Sequence, residues 1–190
     1  MPQKLKNHDL LERLTEVFRE HGYEGASLAR ISKATGLEKA SLYHRFPRGK
    51  EQMAVAVLEH VGSVFTGDVL APLGGSGPLE ERLAETARRI DAFYRQGEGS
   101  CVLDTLSLRD GGEELHRTVR NVYLAWRDAF AAASVQAGLD SAQAQQQAER
   151  AIMRIHGALV LARATGDAAQ FQQAIRELPR MLAPQAARHA

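Results

Sequence analysis

The spacing of apolar residues is the feature that most narrows what this chain can fold into. Apolar side chains recur at steps of three and four residues, as at Leu115, Val119, Val122, Trp126 and Phe130, and this spacing places them on one face of an α-helix. The alternation with a period of two that is typical of strands persists nowhere in the 190 residues. The pattern therefore predicts an all-α fold of about nine helices.

Length and cysteine content limit the class further. A chain of 190 residues can bury a core without disulfides, which excludes a disulfide-held mini-protein. Cys101 is the single cysteine, so no pairing within the chain is available and a reducing, cytoplasmic location is expected. The uncharged stretches are shorter than the roughly 20 residues that span a bilayer, and the start of the sequence predicts no secretory signal. We expect no membrane partner.

The first fifty residues carry signals for short helices. Glycines at Gly22 and Gly36 stand where helices end, and Ser27 stands where a helix N-cap is expected. The predicted order is a longer helix to about residue 21, a short helix over 27–35, a tight turn and a second short helix over about 38–46. This is a helix-turn-helix arrangement. The face of the second short helix that would meet a partner carries Lys39, Ala40, Ser41 and His44.

Charge is distributed unevenly along the chain. The whole sequence has 24 Lys and Arg against 23 Asp and Glu, a net charge of +1. Between Leu28 and Lys50, six basic residues face the single acidic residue Glu38, a local net charge of +5. A basic segment of this kind favours contact with nucleic-acid phosphates. A solvated basic helix, or a helix-turn-helix that contacts protein, remains the alternative.

The segment from Ser27 to Met53, SLARISKATGLEKASLYHRFPRGKEQM, resembles the DNA-binding signature of the TetR (tetracycline repressor) family of transcriptional regulators. Its FPRGKE sequence at 46–51 is similar to the LmrA/YxaF-like multidrug-regulator branch. Ser27 departs from the commonest pattern, which has threonine there. The resemblance implies a homodimer with a helix-turn-helix domain over residues 1–48 and an effector-binding and dimerisation domain over 49–190. It also implies a repressor that a small apolar or aromatic effector releases from a palindromic DNA operator.

The resemblance also implies roles for single residues in the DNA-binding domain. Phosphate contacts are expected from Ser27, Arg30, Tyr43 and Lys50. Lys39, Ala40, Ser41 and His44 are expected in the major groove. Two alternatives stay open, because Tyr43 could instead be a core aromatic behind Leu42, and Arg48 could be a solvated turn charge.

The C-terminal segment suggests a pocket and a dimer interface. The expected effector pocket is lined by Phe93, Tyr94, Cys101, Leu103, Tyr123, Trp126, Phe130, Met153 and His156. The expected dimer interface lies on the last two helices and comprises Ala151, Ile155, Ala158, Leu159, Ala162, Phe171, Ile175 and Leu178. For both sets the alternative is packing inside one subunit, because an aromatic or apolar stripe at helical spacing is also typical of a core.

The sequence gives little support to enzyme chemistry. The seven histidines never form a His-x-x-x-His pair, and one cysteine cannot build a multi-cysteine zinc site. We therefore expect no catalytic activity, no cofactor and no metal site. Two other functions stay open, namely a redox-sensing regulator that uses Cys101 and a non-specific DNA-binding protein.

Overall fold

The computed structural model describes residues 6–107 and 112–184, and within these ranges it contains nine α-helices and no strand. The predicted all-α fold is confirmed. The helices are α1 (Asn7–Gly25), α2 (Leu28–Thr35), α3 (Lys39–Arg45), α4 (Lys50–Val64), α5 (Leu79–Phe93), α6 (Val102–Ser107), α7 (Gly112–Gln136), α8 (Ser141–Thr165) and α9 (Ala169–Leu182). A π-helical turn over Phe65–Val69 and 3-10 turns over Ala71–Gly74 and Arg95–Gly97 lie between α4 and α6.

The short helices near the N-terminus begin and end at the residues that the sequence indicates. Ser27 is the N-cap of α2, and its hydroxyl oxygen accepts a hydrogen bond from the backbone N–H of Arg30. Gly36 ends α2 with a φ of 71°, in the left-handed region that favours glycine. Gly22, with a φ of 67°, interrupts the helical geometry of α1. These local signals were sufficient to predict the helix ends, because each depends on only a few neighbouring residues.

The chain divides into two compact units, and the first comprises Met1–Ser63 together with Cys101–Val122. In this unit α1 packs against α2 and α6. The face of α1 that does so carries Leu10, Leu14 and Phe18, all fully buried. Ile31 of α2 and Leu42 of α3 are also fully buried, so the helix-turn-helix is supported by an apolar core.

The second unit comprises Val64–Ser100 together with Tyr123–Ala190. Here α9 packs against α8 and α5, and Trp126, Phe130 and Phe171 are fully buried. The turn at Gly97 has a φ of 100°, and a Cβ atom there would lie 2.9 Å from Cδ1 of Phe171. Glycine is therefore required at this position both for the turn and for close approach to Phe171.

The two packing units do not coincide with the two predicted domains. The predicted domains meet at residue 48, whereas the first packing unit extends to Ser63 and also takes in Cys101–Val122. The domain boundaries at 1–48 and 49–190 therefore stay a prediction about function. Among the described helices, none combines the length and the apolarity needed to cross a membrane.

Candidate functional site

The turn between α2 and α3 is held by hydrogen bonds that join it to α1. The buried hydroxyl of Thr35 donates to the carbonyl of Ile31 at 2.7 Å and accepts from the backbone N–H of Leu37 at 3.3 Å. The Arg13 guanidinium on α1 donates to the carbonyls of Ala34 and Thr35, both at 3.3 Å. Because these bonds satisfy carbonyls at the end of α2, they fix where the turn to α3 begins.

Helix α3 has one buried and one exposed side. Leu42 is fully buried, and Phe46, which follows the helix, is 7% exposed. The exposed side carries Lys39, Ala40, Ser41, Tyr43 and His44. Tyr43 is 47% exposed, so the alternative that it is a core aromatic is wrong. The structure therefore brings the predicted major-groove residues together on one accessible surface.

Two of the predicted phosphate contacts lie at the start of α2. Ser27 is exposed, and its side chain caps the helix. Arg30 is exposed and donates from its guanidinium to the Gly25 carbonyl at 2.7 Å. This bond orients Arg30 at the N-terminal end of α2, where backbone N–H groups also favour an anion.

Lys50 has neighbours that the sequence did not indicate. Its ammonium nitrogen lies 4.4 Å from the centre of the Tyr23 ring and 4.0 Å from a Glu24 carboxylate oxygen. Burial raises the pKa of Tyr23, and the carboxylates of Glu51 and Glu24 raise it further. The phosphate contact from Lys50 stays a prediction, and such a contact would compete with these two interactions.

Arg48 is exposed, but it is more than a solvated turn charge, because its side chain forms an ion pair with a residue of another helix. Its guanidinium donates to both carboxylate oxygens of Glu114 on α7, at 3.2 Å for the Nη2–Oε1 pair and closer for Nη1 and Oε2. This hydrogen bonding lowers the pKa of the Glu114 carboxyl group from its usual value. The forked pair ties the turn before α4 to the start of α7. No local pattern could have found it, because the partners are 66 positions apart.

Most of the predicted pocket residues lie together in the second unit. Trp126 is at their centre, with its ring centroid 4.6 Å from that of Phe65, 5.0 Å from His156 and 5.8 Å from Phe130. We call the whole set the aromatic cluster: Phe65, Phe93, Tyr94, Tyr123, Trp126, Phe130, His156 and Phe171. Phe65 was not among the predicted pocket residues, and Phe171 was assigned to the dimer interface. Their place in the aromatic cluster is evident only from their packing in the folded chain.

The aromatic cluster contains a polar atom that lacks a protein partner. The indole N–H of Trp126 is buried and has no hydrogen-bond partner within residues 6–107 and 112–184. Ser134, two turns further along α7, is fully buried, and its hydroxyl likewise has no partner in that part of the chain. Buried donors are normally satisfied. A ligand with an acceptor oxygen could satisfy the indole N–H.

Three of the predicted pocket residues do not belong to the aromatic cluster. Met153 is 64% exposed, so its assignment to an enclosed pocket is wrong. Cys101 and Leu103 are 5% and 3% exposed and belong to the first unit, and their place in the pocket stays a prediction. A surface cleft of about 480 Å³ lies elsewhere in the second unit, lined by residues of the 71–76 turn and charged residues of α5. The cleft shares no residue with the predicted pocket.

The residues predicted for the dimer interface are buried within one chain. Their exposed fractions are between 0% and 7%: Ala151, Ile155, Ala158, Leu159 and Ala162 on α8, and Phe171, Ile175 and Leu178 on α9. They pack where α8 meets α9, so a second chain cannot reach them without separating these helices. Their assignment as contacts between chains is therefore corrected.

The opposite side of α8 is accessible and carries three large apolar residues. Met153, Val160 and Leu161 are 64%, 59% and 52% exposed, and Gly157 lies between them on the same side of the helix. The sequence obscured this face because small alanines line the buried side of α8 while larger apolar residues lie on the exposed side. We call Met153, Gly157, Val160 and Leu161 the exposed α8 face.

A basic, exposed α3 that packs against α2 after a tight turn defines a helix-turn-helix DNA-binding protein. Residues 10–57 match the family model for bacterial regulatory proteins of the tetR family, and residues 80–177 match the model for the C-terminal domain of LmrA/YxaF-like transcriptional regulators. The chain belongs to the TetR family of transcriptional regulators, within its LmrA/YxaF-like group.

Known relatives agree with this assignment. The HTH-type transcriptional regulator LmrA of Bacillus subtilis is 25% identical over 163 residues, which cover 80% of this chain and 83% of LmrA. A TetR regulator from Legionella pneumophila has a similar structure, with a TM-score of 0.82, 18% identity and coverage of 95% of this chain and 98% of that one. The TetR-family regulator CifR, solved with 26-bp operator DNA, has a TM-score of 0.75 and 21% identity, covering 95% of this chain and 98% of that one. The chain is thus a DNA-binding transcriptional regulator, of a family whose members are generally not enzymes.

Proposed function

We propose that this regulator is a homodimeric repressor, released from a palindromic operator by a small apolar or aromatic effector that binds in the aromatic cluster. The exposed side of α3 is the observation that carries the DNA-binding part of this proposal. Its lysine, serine and histidine side chains can donate to base edges, and the methyl group of Ala40 can contact a thymine methyl.

The exposed α8 face is the proposed dimer interface, and a two-fold dimer is what a palindromic operator requires. Three large apolar side chains at helical spacing lose contact with water when two copies of this face meet. Gly157 between them allows close approach of two helices. A two-fold dimer presents two copies of α3, and half-sites for such dimers lie roughly 34–36 Å apart.

Effector binding in the aromatic cluster would act on DNA binding through α4. Phe65, whose ring packs on Trp126 at 4.6 Å, directly follows the last residue of α4. The first residue of α4 is Lys50, which lies over Tyr23 at the end of α1. A ligand that moves Phe65 therefore acts on the helix that begins beside the DNA-binding helices. Coupling free energies between two sites of an allosteric protein are typically about 1–3 kcal/mol, and we expect a value in this range between effector and operator.

The proposal is tested by footprinting the purified protein on genomic DNA and then adding a panel of small planar aromatic compounds. We expect protection of a discrete palindrome and its release by at least one compound. Trp126 is the only tryptophan, so the same compound should quench its fluorescence. Equal affinity for any duplex at fixed salt would instead identify a non-specific DNA-binding protein.

Two substitutions on α3 separate base contact from phosphate contact. Ser41→Ala is expected to change the preferred base at one operator position, because a side chain in the groove reads base edges. Tyr43→Phe removes only the hydroxyl of an exposed side chain and should weaken binding evenly across sequences while leaving the salt slope unchanged, because a neutral hydroxyl releases no counterion. Binding to a randomised operator library at several salt concentrations measures both effects. An even loss from Ser41→Ala would contradict the groove assignment.

The redox-sensing alternative depends on Cys101. Its thiol belongs to a residue that is only 5% exposed, and oxidation at such a site is hindered by poor access. A Cys101→Ser variant that keeps its response to the aromatic effector separates the two mechanisms.

A further inference from the structure

Helices α1 and α4 bring together three side chains that can bind a metal. His8 and Glu12 lie one turn apart on α1, and His60 lies on α4. Each offers one ligand atom, and the three atoms lie within 4.8 Å of one another. All three residues belong to the first unit. The spacing in the sequence gave no hint of this, because His60 is 48 positions from Glu12.

The three candidate ligand atoms are already near one another. Nε2 of His60 and Oε1 of Glu12 form a hydrogen bond of 2.8 Å, which a metal ion bound to both groups would replace. The rings of His8 and His60 have their centroids 5.2 Å apart and are inclined at 74°. Two imidazoles that bind one tetrahedral ion at metal–nitrogen distances of about 2.0–2.1 Å have ring centroids about 5 Å apart. Small side-chain rotations would therefore direct all three ligand atoms at one point.

The exposure of the three side chains would let an ion enter from solvent, and their ligand atoms favour a particular class of metal. The His60 side chain is 13% exposed and held by its neighbours, whereas that of Glu12 is 53% exposed and His8 is also exposed. Two imidazole nitrogens and one carboxylate oxygen suit Zn²⁺ and similar divalent transition metals, whereas Mg²⁺ and Ca²⁺ prefer oxygen ligands.

We propose that His8, Glu12 and His60 form a binding site for a divalent transition metal ion, Zn²⁺ in the first instance, with water as the fourth ligand. The ion would join α1 to α4 near the start of one helix and the end of the other. It would therefore restrain the angle between α4 and the helix on which α2 and α3 are anchored. The site does not depend on the proposed effector or on the operator.

The test uses the full chain without an affinity tag, dialysed against a chelator and titrated with ZnCl₂ by calorimetry and with CoCl₂ by visible absorption. We expect one ion per chain and the visible d–d bands of tetrahedral Co²⁺. His60→Ala and Glu12→Gln should each weaken binding by at least about 10- to 100-fold, the loss caused by removing even an outer-shell partner. His116→Ala is the matched control, because this histidine is exposed on α7 and should leave affinity unchanged.

Two results would overturn the site: no stoichiometric uptake by the wild type, or equal affinity in the wild type and both cluster variants. Circular dichroism establishes that the variants are folded, and Glu12→Gln keeps the size of an exposed side chain. A second readout is the melting temperature. Zn²⁺ that binds the native state should raise it for the wild type and the His116→Ala variant but not for the His60→Ala variant.

Discussion

Trp126→Ala is expected to lower the free energy of unfolding by about 3–5 kcal/mol, the cost of removing a large aromatic side chain from a packed core. Trp126 is fully buried, and its ring packs against those of Phe65, Phe130 and His156. No neighbouring helix can fill the space without moving, because Phe65 also packs against Phe93 and Tyr94, and His156 packs against Tyr123.

Urea unfolding followed by far-ultraviolet circular dichroism measures this loss, since fluorescence of the only tryptophan disappears with the substitution. Tyr43→Ala is a matched control, because it removes an aromatic ring that is 47% exposed and should cost about 0.5 kcal/mol or less. Trp126→Phe keeps a ring but removes the unsatisfied indole N–H, so it should cost much less than alanine. Equal losses for Trp126→Ala and Tyr43→Ala would contradict the central position of Trp126.

The double substitution Val160→Glu, Leu161→Glu is expected to prevent formation of the proposed dimer and to weaken operator binding by about 1,000-fold or more. Four carboxylates would then face one another across the two-fold axis, where desolvation and like-charge repulsion oppose association. A monomer holds only one half-site, so its affinity approaches that of non-specific binding. Light scattering after size exclusion measures the mass, and fluorescence anisotropy with labelled operator measures affinity.

The pair Ala84→Glu, Ala92→Glu adds the same charge at two exposed positions on α5 and serves as the control. It should leave the dimer intact and alter operator affinity only slightly. A monomeric wild type, or a dimer that survives Val160→Glu, Leu161→Glu, would show that α8 is not the interface. Val160 and Leu161 are 59% and 52% exposed, so the folded chain should tolerate glutamates at these two positions.

Different parts of the site were predictable to different degrees. The N-cap at Ser27 and the glycine end at Gly36 are local features, and the structure confirms both. The accessible side of α3 also followed from the sequence, because a seven-residue helix with Leu42 inward leaves the remaining side exposed. The partners of Lys50 and Arg48 could not be predicted from the sequence, because they are Tyr23 on α1 and Glu114 on α7, which are distant in the chain.

Helix α8 shows why the other interfaces were harder to predict. Apolar residues occur on both of its sides, so hydropathy cannot distinguish the side that packs on α9 from the exposed α8 face. The small alanines Ala151, Ala158 and Ala162 are buried because they allow α9 to approach, while Val160 and Leu161 remain accessible. Only the position of the neighbouring helix separates these two sets.

The sequence by itself determined the all-α class, the helix-turn-helix and its basic character, because these follow from caps, turns and periodicity within a few residues. Tertiary structure alone decided which distant residues meet. It joined Phe65 and Phe171 to Trp126 through the aromatic cluster, and it brought His60 to His8 and Glu12. The physical reason is that helix formation is governed by neighbours in the chain, whereas contacts between helices depend on how whole side-chain surfaces fit together.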